Sequence, residues 1–192
     1  VRTGALYHDI GKLRRPTFFT ENQSGLNPHT RLTPQASAKV IISHISDGIE
    51  KAKENGVPDV LRNFILTHHG NGVTKYFYNV YKNEHPNEDI DDTPFRYPGP
   101  NPFSKEQAIL MMADAVEAAS RSLSQYNEET ITELVNKIID SQVADGFFND
   151  CPITFKDITT AKRILIEKLG AIYHPRIQYP ELTTNKETPE IQ

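Results

Sequence analysis

The sequence contains no tryptophan, a single cysteine (Cys151) and only two methionines. One cysteine cannot close an internal disulfide, which points to a reducing compartment. No apolar run approaches the roughly 20 residues needed to cross a bilayer, and no secretory signal precedes the domain. Excess positive charge is also missing: 21 Lys and Arg face 25 Asp and Glu, a formal net charge of -4. That balance offers no electrostatic footprint for DNA or RNA, although a local basic pocket for phosphate is compatible with it. There is no internal repeat and no convincing strand pattern. Finally, the chain lacks a start. It opens at Val1, without Met, inside an uncapped apolar helical pattern of Val1, Ala5 and Leu6. The expectation is a fragment whose first helices are missing.

What is present reads as helix throughout. A chain of 192 residues suits one domain with a sizeable core. Residues 1–9 have the pattern of a helix end, stopping near Gly11, and Pro16 prevents its continuation. Residues 16–33 form a polar loop with aromatic anchors, long enough to suggest function. Thr33-Pro34 is an N-cap with proline in the first turn. The helix it opens runs through Ala38, Val40, Ile41 and Ile42 and is expected to deliver His44 near its end. A second helix over 46–54 stops at Asn55-Gly56, and Pro58 begins another that ends at His68-His69-Gly70. An aromatic helix is expected over 73–84, followed by a Pro-rich loop over 86–103. Ser104 with Gln107 makes a capping box for an apolar helix over 105–123, whose buried stripe reads Ile109, Met112, Val116 and Ala119. Asn127 caps a helix to about 145, and the last helix spans about 157–173. The fold class is all-α, a helical bundle over residues 1–180, with a disordered polar tail over 181–192.

Four stations in this helical sequence carry ligand chemistry: His8-Asp9 within Tyr7-His8-Asp9-Ile10-Gly11-Lys12, then His44, the doublet His68-His69, and Asp114. Imidazole nitrogens and carboxylate oxygens suit Mn, Fe and Zn. Such groups seldom enter apolar sequence unless something offsets their desolvation. Each has a plainer reading. His-Asp could be a capped helix end, and Asp114 could partner Arg121 or Lys105. The doublet cannot point both rings one way on a regular helix, because neighbours differ by about 100°. Two ligands from it require the helix to end there, and Gly70 supplies the break. His29, His85 and His174 lie beside prolines and are expected in loops or at the surface. Asp47, Asp140 and Asp145 are expected on solvated helix faces.

His8-Asp9, His44, His68-His69 and Asp114 resemble the H…HD…H…HH…D pattern of HD-domain phosphohydrolases that hold two metals. More narrowly, residues 4–12, then Phe18-Phe19-Thr20-Glu21-Asn22-Gln23, then Phe95-Arg96-Tyr97-Pro98-Gly99-Pro100 are similar to one subgroup. Its members are cyclic di-AMP phosphodiesterases with seven transmembrane helices and an intracellular HD domain. The Gly-Tyr-Pro signature of cyclic di-GMP enzymes in the superfamily is not found here.

The resemblance implies an HD-domain bundle that hydrolyses cyclic di-AMP to the linear dinucleotide pApA, on the cytoplasmic side of a membrane that anchors the parent protein. It implies two divalent cations, Mn or Fe, with Asp9 bridging them. His8 and Asp114 would hold one metal, and His44, His68 and His69 the other. Lys12 joins His8 and Asp9 as a catalytic group. Lys12 and Arg15 are expected at substrate phosphates, and Arg96 and Tyr97 at a base or phosphate. Lys12 reads equally well as a helix C-terminal cation. The family's first His lies upstream of His8 and is absent from this chain, so the site of His44, His68 and His69 is expected to be the better occupied. The alternatives are an HD phosphohydrolase acting on another nucleotide or an alarmone, and a non-catalytic nucleotide sensor. The long aromatic and Pro-rich loops favour a substrate larger than a mononucleotide.

Overall fold

The computed structural model describes residues 1–173; the expected tail and His174 lie outside the described residues. Among the described residues the chain is helical. Its α-helices are α1 (Arg2–Tyr7), α2 (Pro34–Ile42), α3 (His44–Glu54), α4 (Asp59–Thr67), α5 (Lys75–Glu84), α6 (Lys105–Ser120), α7 (Glu128–Ala144) and α8 (Phe155–Tyr173). The extended pairing in these residues is one antiparallel bridge between Val73 and Arg96. The expected all-α bundle is the observed fold.

The starts of helices follow their caps. Thr33 Oγ1 accepts from the Ala36 amide at 3.2 Å, and Asn127 with Thr130 forms a reciprocal capping box. Ser104 accepts from the Gln107 amide, but the returning arm reaches one residue further back: Gln107 Oε1 accepts from the Phe103 amide at 2.9 Å.

Three local departures matter for the site. First, the chain does not leave helical geometry at Gly11 but continues as a 3-10 helix over Ile10–Arg14. Gly11 is buried against α3, and a Cβ there would collide with the His44 carbonyl. The missing side chain brings the two segments into contact. Second, His44 opens α3 instead of closing α2. The joint is Ser43, whose hydroxyl donates to the Val40 carbonyl at 2.9 Å, a local competitor for helix hydrogen bonds. Third, the fully buried line of α6 includes Ala108, Met112, Val116 and Ser120, while Ile109 and Ala119 are only partly buried. α6 packs against α4 on one side and α7 and α8 on another, which widens its buried surface.

Two apolar cores result. The larger joins α6, α7 and α8 through Met112, Val116, Ile131, Val135, Ile139, Ile158 and Leu169. The smaller gathers Ala52, Val57 and Ile65, with Tyr7, Ile10, Ile49 and Leu61 packed on it. The histidine cluster lies beside this smaller core, closed off by α6.

Candidate metal centre

His8 caps the C-terminus of α1 and its Nδ1 donates to the Ala5 carbonyl at 2.8 Å. His44 begins α3 and its Nδ1 donates to the Ile41 carbonyl at 2.6 Å. His68 caps α4 and its Nδ1 lies 2.9 Å from the Ile65 carbonyl. All three rings therefore use the same device: a carbonyl three residues back engages Nδ1 and leaves Nε2 aimed inward. This is how metal-binding histidines are oriented.

The inward atoms converge. Asp9 Oδ2 is 3.1 Å from His8 Nε2, and Asp9 Oδ1 is 3.6 Å from Nε2 of both His44 and His68. Asp114 Oδ1 is 3.4 Å from His8 Nε2, across from α6. Asp114 pairs with neither Arg121 nor Lys105, which are held by Glu117 and Asp157. The helix does end at the doublet: Gly70 takes φ +53°. Side-chain donors of His44, His68 and His69 come within 4.8 Å of one another, as do those of His8, Asp9 and His68.

Without a cation this arrangement is unbalanced. His8 Nε2 and Asp9 Oδ1 are buried with no hydrogen-bond partner. The Nε2 atoms of His44 and His68 face each other at 3.1 Å with both Nδ1 protons already committed. A divalent cation among these atoms satisfies all four, so the residues fit the group that their chemistry implies.

The electrostatics follow from burial and the two carboxylates. Burial opposes charge on His8, but Asp114 and Asp9 outweigh it and raise its pKa to about 10. Burial likewise opposes charge on Asp9, yet the adjoining imidazoles of His68 and His8 and the Lys12 ammonium hold it far below the carboxylate range. Burial, then the neighbouring His68, pushes His44 down to about 4. The same causes, with His44 added, press His69 well below its ordinary value.

Beside the cluster opens a cavity of about 1230 Å³. His69 and Tyr97 stand at its metal end, and Phe18, Phe19, Phe77 and Tyr76 contribute aromatic wall. Tyr97 stacks on His69 at 4.2 Å between ring centroids, and burial raises its phenol above the ordinary range. Lys12 Nζ sits 2.8 Å from Asp9 Oδ2 and 2.6 Å from Glu21 Oε1. Arg15 is brought to Ser43 and Asp47 instead, at 2.8 and 3.2 Å. Arg96 is held by both oxygens of Asp92 at 2.6 Å. None of Lys12, Arg15 and Arg96 lines the cavity, although Glu21, the partner of Lys12, does.

One expectation changes, and two residues gain a place in the cavity wall. Asp47 is not on a solvated face: its side chain is 13% exposed and receives Arg14 and Arg15. His29 is half-buried in a 3-10 turn and lines the cavity, its Nε2 donating to the Phe18 carbonyl at 2.9 Å. Glu21 had no assigned role, although it stands inside the aromatic loop motif; it holds Lys12 and lines the cavity. An acid in an otherwise uncharged motif was the available signal.

The chain resembles proteins already characterised by name. It is 46% identical over 182 residues to the cyclic-di-AMP phosphodiesterase PgpH of Listeria monocytogenes, covering 94% of this chain and 25% of that protein. It is 45% identical to PgpH of Bacillus subtilis, covering 95% of this chain and 26% of the relative. The chain thus spans about a quarter of the length of these relatives. The crystal structure of the L. monocytogenes PgpH HD domain in complex with cyclic-di-AMP matches with a TM-score of 0.85 at 44% identity, covering 90% of this chain and 80% of that one. The HD domain family matches residues 1–119, a span that takes in every histidine and aspartate of the centre. On that match, and on the converging His-Asp donors beneath it, this chain belongs to the HD domain family.

Proposed function

We propose that this chain hydrolyses cyclic di-AMP to pApA with two divalent cations, Mn or Fe. The observation that carries the reading is the convergence of three Nε2 atoms and two carboxylates beside a cavity of about 1230 Å³ that His69 lines. The names of the relatives, and the cyclic-di-AMP in the structure of one of them, support the choice of substrate.

Asp9 is the bridge between the two halves of the site. Its Oδ2 faces His8 and its Oδ1 faces His44 and His68. His8 and Asp114 complete one half; His44, His68 and His69 complete the other. When bound, the cations would supply a water of lowered pKa and neutralise charge on the phosphoryl oxygens. The net reaction adds water across the bond between phosphorus and the 3′-oxygen, leaving a 3′-hydroxyl and a 5′-phosphate.

The chain's own side chains orient the substrate. Lys12 is kept protonated: burial opposes its charge, but Asp9 and Glu21 more than compensate. Placed between Asp9 and the cavity-lining Glu21, its ammonium is aimed at a phosphate oxygen. Tyr97 offers a flat face beside His69 for a base or ribose. Arg15 and Arg96 are committed elsewhere, and we assign them no contact with substrate. The relatives are about four times as long as this chain, which supports a parent protein anchored in a membrane with this domain on the cytoplasmic side. Among the described residues no helix is long and apolar enough to cross one.

The test is incubation of the Mn-loaded protein with cyclic di-AMP, cyclic di-GMP and mononucleotides separately. Conversion of cyclic di-AMP to pApA ahead of the others is expected. Preference for another nucleotide would retain the centre and discard the substrate. Tight binding without turnover would make the domain a sensor.

A further inference from the structure

The loop over residues 95–100 carries the motif that marks the subgroup, yet it lends only Tyr97 to the cavity. Its other groups close on the turn that follows the His doublet. The Thr74 amide donates to the Phe95 carbonyl at 2.8 Å, the Tyr97 amide to the Gly72 carbonyl at 2.8 Å, and the Gly99 amide to the Gly70 carbonyl at 3.0 Å. Between these rungs lies Asn71, two residues beyond His69. Both of its backbone groups go to side chains: its N–H to Asn101 Oδ1 at 3.0 Å and its carbonyl to the Arg96 guanidinium at 3.1 Å. Arg96 is fixed in turn by both oxygens of Asp92.

The contact is tight. Gly70 has φ +53°, and a Cβ there would collide with Asn101 Oδ1. This turn must be held, because two successive histidines reach one centre only if the backbone leaves the helix at a defined angle immediately after them. Nothing else in the turn accepts the Asn71 N–H.

We infer that Asn101, with Arg96, is a positioning residue: it grips Asn71 and so fixes the backbone that aims His69 at the metal centre. The inference rests on the metal reading proposed above. Groups that orient ligands from outside typically carry about a 10–100-fold effect on metal affinity.

The experiment is a Mn²⁺ titration of the wild-type protein and of Asn101→Ala, Asn101→Asp and Arg96→Ala, with free Mn²⁺ read by electron paramagnetic resonance. The metal-free melting midpoint and the KM and kcat for cyclic di-AMP are measured alongside. Asn101→Ala is expected to raise the Mn²⁺ Kd by about 10–100-fold, with Arg96→Ala following by a smaller factor. KM should hold, and kcat should recover at saturating Mn²⁺. Asn101→Asp keeps the acceptor oxygen and should restore affinity. An unchanged Kd in Asn101→Ala, or an equal loss in Asn101→Asp, overturns the inference. So does a loss matched by collapse of the metal-free melting midpoint, since that is a general structural role. If the wild-type protein itself binds no Mn²⁺, the metal reading falls and takes the inference with it.

Discussion

Residues 2–84 are built from helices of 6, 9, 11, 9 and 10 residues, interrupted by 3-10 turns. Residues 105–173 form three helices of 16, 17 and 19 residues. The long helices bury the larger apolar core and contribute one candidate ligand, Asp114. The short segments bury a smaller apolar core but contribute all the histidines of the candidate centre. Helix ends explain the difference. A long helix repeats its faces and can aim only a few residues at one point. The helices α1 and α4 end, and α3 begins, at residues of the cluster, and a terminal residue with a carbonyl three positions back has both the freedom and the hydrogen bond to aim its ring. The short-helix region is thus governed by charge and cation, and the long-helix region by packing.

The sharpest break in that contrast is Asp9→Ala. Removing the carboxylate that faces both halves of the site should abolish hydrolysis, while circular dichroism keeps its helical signal. Undiminished turnover in this variant would falsify the bridging role.

The opposite break is Ile139→Ala in α7, a fully buried position of the larger core. It should cost about 2–5 kcal/mol of stability in denaturant titration. Activity per folded molecule should be unchanged, and a large drop in kcat would mean that the two regions are not separable.

A subtler test is the pH dependence of the metal-free protein. The folded His44 sits at about 4, below its ordinary 6.5, so its contribution is present above pH 6.5 and is lost as pH falls towards 4. The folded His8 sits at about 10, so its contribution is present below pH 6.5 and is lost as pH rises towards 10. The melting midpoint should therefore peak near pH 6.5. Ile139→Ala should lower that curve without reshaping it, whereas His8→Ala should flatten its alkaline limb. A flat profile in the wild-type protein would contradict the assigned environments.

The smallest effect is expected at the α7 cap. Asn127→Ala removes one side-chain acceptor and should cost about 1 kcal/mol, with no change in Mn²⁺ affinity. An effect on the metal would show the long-helix region acting on the site at a distance.

Much of this was legible in order along the chain. Thr33, Ser104 and Asn127 announce helix starts through local hydrogen bonds, and Gly70 announces the break that the His doublet needs. The candidate ligands were legible as a set because histidines and aspartates beside apolar helical sequence have few other uses, and the structure brings them together. The partners of Arg15 and Arg96 were not. The structure pairs them with Asp47 and Asp92, and sequence alone does not rank competing carboxylates. Glu21 escaped for the same reason: its partner, Lys12, becomes close only through the fold of an intervening loop.

By itself, then, the sequence determined the helices, several of their starts and the chemical identity of the donors, since these depend on neighbours within a few positions. Only the tertiary structure decided which nitrogen of each ring faces the centre, which cations stay near the cavity, and that Asn101 steadies the turn behind His69. Those outcomes depend on which of several possible partners packing brings within hydrogen-bond reach, and the Asn71 amide meets Asn101 across 30 residues of chain.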